Sequence, residues 1–142
     1  MKKAMTAEKK VSGIKLHLAV DTNGLPHAIH VTTANITDRE GALEMLKLCT
    51  PNLSSVVKVL CDGGYTGENF ANAVMTLIKA EVEIAKRNEP HKFAVIPKRW
   101  VVERTNAWLE KFRRLWKNCE CKLHTSLQMT VLAFITLLLR RY

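Results

Sequence analysis

The sequence predicts an α/β domain in which a mixed β-sheet is flanked by helices. Three observations carry this prediction. Apolar residues alternate strictly over residues 14–20, a continuous apolar run occupies 56–61, and apolar residues recur at helical spacing in the segments that follow. The resulting order of strand, strand, helix, strand, helix, strand, helix, helix combines a hairpin with crossover connections, which is the pattern of a mixed sheet with helical cover. A length of 142 residues suits one domain with one hydrophobic core.

Residues 1–12 are polar and lysine-rich and are expected to form a disordered basic segment, leaving 13–142 as the domain. From Ile14 the alternation sends Ile14, Leu16, Leu18 and Val20 one way and Lys15, His17 and Asp21 the other, a half-buried strand. His17 and Asp21 thus share a face and read as a surface pair. The "DTNG" of 21–24 is a hairpin turn signal, and a second strand is expected over about 25–33. Asn35-Ile36-Thr37-Asp38 stops that strand, and Thr37 or Asp38 can cap a helix to about residue 48 with Ala42, Met45 and Leu46 facing inward. The apolar run 56–61 predicts a strand covered on both faces. Phe70, Val74, Leu77 and Ile78 then mark one face of a helix. A short strand over 81–86 and a polar loop around 88–91 follow. Val101, Thr105, Trp108, Phe112 and Leu115 trace one helical stripe, and 126–139 is apolar nearly all round, as expected of a helix packed on the sheet.

The formal net charge is +9, and its distribution matters more than its size. Residues 1–17 hold five lysines against one glutamate, and 98–122 hold eight Lys/Arg against three glutamates. Two basic segments with carboxylates between them read either as an electrostatic footprint for a polyanion or as the surface of an ordinary basic protein without a nucleic-acid partner. Cys49 and Cys61 sit in apolar runs as small core residues, and Cys119 and Cys121 form a lone CxC without a second pair, which argues against zinc. No apolar stretch follows the lysine-rich start, and VLAFITLLL is about half a bilayer span, so a cytoplasmic chain with reduced thiols and no membrane partner is expected.

Asp62 ends the apolar run and stands before "GGYTG". It reads either as a capping aspartate at a strand–helix junction or as a metal ligand at the mouth of the sheet, where open α/β sheets gather their ligands. Oxygen donors there suit Mg²⁺ or Mn²⁺. Glu103 lies off the apolar stripe of the late helix, on the face that also carries Asn106 and Glu110; that face is either a solvated surface or part of a phosphate-handling site. Lys98, Arg99 and Trp100 combine charge with an aromatic surface, a combination common in nucleic-acid binders. His27 and His30 are three apart on a strand, point to opposite sides and cannot share a metal.

Four stretches carry a resemblance to a known family: "GIKLHLAVDTNGLPHAIHVTTANITDREGA", "VLCDGGYTG", "PKRWVVERTNAWLEKFRRL" and "AFITLLLRRY". Together they resemble the bacterial insertion-sequence transposases with a DDE catalytic domain, and the likeness runs from Gly13 onward. It implies a ribonuclease-H-like fold, a Mg²⁺ or Mn²⁺ cofactor, and DNA (transposon ends and target) as partner. Asp62 takes the place of the second catalytic acid and Glu103 that of the third, both as metal ligands. Arg99 takes the place of the signature arginine that contacts DNA, with Lys98, Trp100, Lys111 and Arg114 as further DNA-binding candidates. Lys111 stands one position beyond the pattern's basic residue, and Ile96 stands at its tyrosine.

The family's first aspartate lies on a strand before the "GIKLHLAVD" hairpin, and residues 1–12 contain no aspartate. The chain is therefore expected to be the C-terminal part of such an enzyme, with the first strand missing and little activity alone unless another transposase chain supplies that acid. The competing expectation is a non-catalytic DNA-binding or assembly module acting with a full-length transposase. A nuclease of the same fold that only hydrolyses is a third.

Overall fold

A computed structural model describes residues 13–85, 99–117 and 119–141. The expectations for 1–12 and for the loop around 88–91 lie outside those residues. Strand β1 (Ile14–Val20) pairs antiparallel with β2 (Pro26–Thr33), Ile14 opposite Thr33 and Leu18 opposite Ile29. The hairpin turn is closed by Asp21, whose Oδ1 accepts from the N–H groups of Asn23 (2.8 Å) and Leu25 (2.9 Å). Gly24 has φ +83°, a left-handed conformation that glycine adopts without steric cost.

Helix α1 (Asp38–Leu48) is capped by Thr37, one of the two residues expected to do so. Thr37 accepts from the Glu40 N–H, while the Glu40 carboxylate accepts from the Thr37 N–H at 3.1 Å. Lys15 of β1 fixes this end of the helix from outside, donating to the Ile36 carbonyl at 2.8 Å and pairing with Asp38 at 2.9 Å. Ala42, Met45 and Leu46 are buried as the spacing predicts. Strand β3 (Lys58–Cys61) runs parallel to β4 (Glu81–Ile84), with α2 (Glu68–Ile78) as the crossover. Phe70, Val74 and Ile78 of α2 join Ala28, Met45, Leu46 and Leu53 in the larger core, against which Val59, Cys61 and Val82 pack.

Helix α3 (Arg99–Glu110) lays Val101, Thr105 and Leu109 against the rest of the molecule. A short helix, α4 (Arg113–Trp116), follows, and α5 (Leu123–Arg141) ends the described chain. Leu109, Ala133 and Phe134 form a second core, flanked by Leu18, Ile29, Phe112 and Leu115. By length and composition, Leu123–Arg140 is apolar enough to cross a membrane. It packs against β2 and α3 through Ala133 and Phe134, leaving Leu132, Ile135 and Leu139 exposed.

The α/β class holds, with four differences in detail. The described strands form two separate two-stranded sheets, one antiparallel and one parallel, rather than one mixed sheet. Among the described residues β3 is covered on one face: Val59 and Cys61 pack on the core, while Leu60, and Val57 just before the strand, are 39% and 77% exposed. The single stripe from Val101 to Leu115 is broken at Phe112, whose backbone is extended; the break turns Phe112 and Leu115 onto the second core. His17 is buried, not a surface partner of Asp21. Its Nε2 lies 2.9 Å from Thr32 Oγ1, and α1 covers it at Gly41, where a Cβ would fall 2.2 Å from the imidazole.

Candidate active site

β3 ends at Cys61, and Asp62 follows in extended conformation as the cap of a 3₁₀ turn over Gly63–Tyr65. Asp62 Oδ1 accepts from the Gly64 N–H at 3.0 Å. Among the described residues no partner engages its other oxygen, so the carboxylate caps the turn and still offers an exposed oxygen outward. The Gly64 carbonyl accepts from Arg39 Nε at 2.9 Å, reaching across from the first turn of α1. Thr66 Oγ1 donates to the Gly63 carbonyl at 2.8 Å and completes the turn. Burial, and then the neighbouring Asp62 charge, push the Cys61 thiol up to about 11. Burial likewise raises the Tyr65 hydroxyl, with Asp38 and Asp62 adding to it. Both groups therefore stay protonated at neutral pH, and the Asp62 carboxylate is the negative charge of this turn.

On α3, Glu103, Asn106 and Glu110 are exposed on the face away from Val101, Thr105 and Leu109, as the spacing predicts. Trp100 is 48% exposed, and the Arg104 guanidinium lies 4.4 Å from its ring centre and 4.9 Å from that of Trp108. Arg104 also donates to the Asn23 carbonyl at 2.7 Å, and Thr105 Oγ1 donates to the Gly24 carbonyl at 2.9 Å, so α3 holds the hairpin turn from above. Arg104 Nε is buried with no hydrogen-bond partner among the described residues, and the two indole faces offset that cost through cation–π attraction. Lys111 is exposed in the break between α3 and α4. Arg114 is exposed but bonded to Glu120 at 2.7 Å, which raises its pKa further. Lys98 and the side chain of Arg99 lie outside what the structure describes.

Asp62 and Glu103 therefore stand on different packing units: Asp62 on the sheet covered by α1 and α2, Glu103 on a helix packed against β1, α4 and α5. Among the described residues no three His, Cys, Asp or Glu side chains gather closely enough to hold an ion. The donor chemistry of Asp62 fits a hard divalent cation, since it presents an exposed carboxylate oxygen; the number of ligands falls short of a complete set. Asp21 offers no substitute. Burial pushes its carboxyl up, but the Leu25 and Asn23 N–H groups and His27 outweigh that and hold it below the usual range. His27 pairs with Asp21 at 3.5 Å and His30 with Glu44 at 3.3 Å, on opposite sides of β2 as expected. Two residues went unforeseen. Arg104 was legible in the i, i+4, i+8 spacing of Trp100, Arg104 and Trp108; Arg39, 25 residues from its partner, had no local signal.

An α/β unit with an aspartate at the end of a parallel strand and a glutamate on a late helix is the framework in which these carboxylates become chemically meaningful. The sequence model of the Transposase DDE domain family matches residues 1–139, and the chain belongs to that family. It is also similar to the protein named "Putative transposase for insertion sequence element IS402" from Burkholderia cepacia, 37% identical over 110 residues. That alignment covers 72% of this chain and 52% of the relative, so the chain spans about half the length of the curated relative it matches. No solved structure matches.

Proposed function

We propose that this chain is the C-terminal part of a ribonuclease-H-like transposase catalytic domain that cuts and joins DNA during transposition of an insertion sequence. The observation that carries the reading is the Asp62 carboxylate, held by one turn N–H at the exposed end of a parallel strand with its second oxygen open. Asp62 and Glu103 are the second and third metal-binding acids. A divalent cation, Mg²⁺ or Mn²⁺, held by them would activate a water or 3′-hydroxyl and stabilise the leaving oxygen. The remaining acid comes from a strand that precedes β1, either in a longer form of this chain or in a second transposase chain. Residues 1–142 alone therefore give weak metal binding and little strand transfer.

The DNA is held electrostatically. The Lys/Arg residues of 98–122, with Lys98, Arg99, Lys111 and Arg114 among them, contact phosphates, and the exposed face of Trp100 offers a stacking surface. The test is a cleavage and joining assay on transposon-end DNA with Mg²⁺ or Mn²⁺, run with residues 1–142 alone and with a transposase chain carrying the first aspartate but Asp62→Ala. Joining that appears only in the mixture supports the reading. Robust joining by residues 1–142 alone refutes the shared site.

The absence of a three-acid cluster among the described residues favours a second reading, a non-catalytic DNA-binding or assembly module. In that case DNA binding is salt-dependent and indifferent to Asp62→Ala and Glu103→Ala, and the mixture shows no joining.

A further inference from the structure

The Asp62 turn is built from residues that do not hold themselves still. Gly63 and Gly64 lack side chains, and a Cβ on Gly63 would meet nothing within 4 Å. A carboxylate carried on such a turn keeps its direction only if something outside the turn fixes the backbone. We propose that Arg39 is that element, a positioning residue for the Asp62 carboxylate; the inference rests on Asp62 being a metal ligand.

Both backbone polar groups of Gly64 are engaged, each by a different side chain. Its N–H donates to Asp62 Oδ1 at 3.0 Å, and its carbonyl accepts from Arg39 Nε at 2.9 Å. Asp62, Gly64 and Arg39 thus form one chain of hydrogen bonds, the second of them charge-assisted and correspondingly strong. Arg39 can act as an anchor because its own backbone is tied down. It lies between the capping-box residues Thr37 and Glu40, and the adjacent Asp38 and Ile36 are held by Lys15 of β1. The path runs from a paired strand, through a capped helix start, to the loosest turn in the candidate site.

An arginine that served only surface electrostatics would pair with a carboxylate. Among the described residues no carboxylate pairs with Arg39, although Glu40 and Glu68 line the same open groove of about 460 Å³. Its directed contact is instead the carbonyl two residues beyond Asp62. That geometry serves orientation, since a fixed Gly64 fixes Oδ1 and leaves the other oxygen facing outward. Residues that orient metal ligands from the second layer change metal affinity by about 10–100-fold when removed.

The experiment uses ¹⁵N-labelled protein of residues 1–142 and follows Mn²⁺-induced broadening of the Gly63 and Gly64 amide signals. Wild type, Arg39→Ala, Arg39→Lys and Asp62→Asn are compared, with amide hydrogen exchange and DNA affinity measured on each. The proposal expects Arg39→Ala to need about tenfold more Mn²⁺ for equal broadening. It also expects Gly64 exchange to quicken while α1 and α2 exchange is unchanged, and Arg39→Lys to recover most of the affinity. Equal Mn²⁺ response in wild type and Arg39→Ala overturns it. So does a uniform rise in exchange across α1 and α2, or a loss of DNA affinity with Mn²⁺ binding intact, which would make Arg39 a phosphate contact. If wild type shows no broadening at Gly63 and Gly64 at any Mn²⁺ concentration, the metal-site reading itself fails, whatever Arg39 does.

Discussion

The molecule contains two turns that begin on an aspartate and use a glycine, and they have opposite fates. Asp21 opens the hairpin turn, and its Oδ1 accepts two backbone N–H groups while Oδ2 meets His27. Gly24 in that turn lies under α3, where an added Cβ would stand 2.8 Å from Thr105 Oγ1 and 3.2 Å from Arg104 and Trp108. Asp62 opens the other turn with a single backbone N–H on Oδ1, and Gly63 faces open space. A saturated carboxylate under a helix is architecture. An unsaturated one at a free turn is available for chemistry.

Substitutions that exchange the two roles give the largest effects. In a complete transposase assembly, Asp62→Asn is expected to abolish joining while the unfolding free energy of the isolated chain stays within about 0.5 kcal/mol of wild type. Asp21→Asn keeps the Oδ1 acceptor of both turn N–H groups and gives up only the charge towards His27, so joining should stay intact and stability change little. A joining assay paired with urea unfolding separates them. The glycines come next. Gly24→Ala adds a side chain where φ is positive and space is closed, and should destabilise by about 2–3 kcal/mol in denaturant titration. Gly63→Ala should be close to neutral by the same measurement.

Loss of the Asp21 cap is smaller. Asp21→Ala removes the acceptor of two backbone N–H groups and is expected to lower stability by about 1–2 kcal/mol, read as a shift in urea midpoint at constant slope. Thr105→Val, which leaves the Gly24 carbonyl without its buried donor, should cost about 1–2 kcal/mol. The smallest effect is a pH dependence at β1. Burial lowers the His17 pKa below 6.5; Asp38 and Glu44 oppose this, and His30 and Lys15 add to it. The unfolded chain therefore takes up a proton that the folded one refuses, so stability is full above pH 6.5 and declines as pH falls towards the folded-state value. Urea midpoints at pH 7.5 and 5.5 should show that decline, and His17→Asn should flatten it.

Local rules were the legible ones. A cap at Thr37 or Asp38, the "DTNG" turn and the inward face of α2 follow from residues within a few positions of each other; the structure has the turn and the face, and it chooses Thr37 as the cap with Glu40 as its partner. What escaped depends on contacts remote in sequence. His17 sits on the polar side of an alternating strand, and only the docking of Gly41, 24 residues later, makes that side an interior. An isolated glycine inside a helical pattern was the available hint. The division into two sheets escaped because strand pairing is decided by partners, not by the strand. The break at Phe112 escaped because the apolar period continues across it. In the candidate site, Asp62 and Glu103 were visible through their motifs, whereas the Arg39 contact spans 25 residues and leaves no pattern.

The chemistry of Cys61 has a practical consequence. With its thiol pushed up to about 11, roughly one molecule in ten thousand carries the thiolate at pH 7, and the thiolate is the form that reacts with maleimides and iodoacetamides. Cys119 and Cys121 are exposed between α4 and α5. A fluorophore or spin label added briefly at neutral pH should therefore attach there and spare the residue next to Asp62. With Cys49, which is also partly exposed, replaced by serine, the segment between α4 and α5 becomes a reporter through which DNA engagement can be followed by anisotropy.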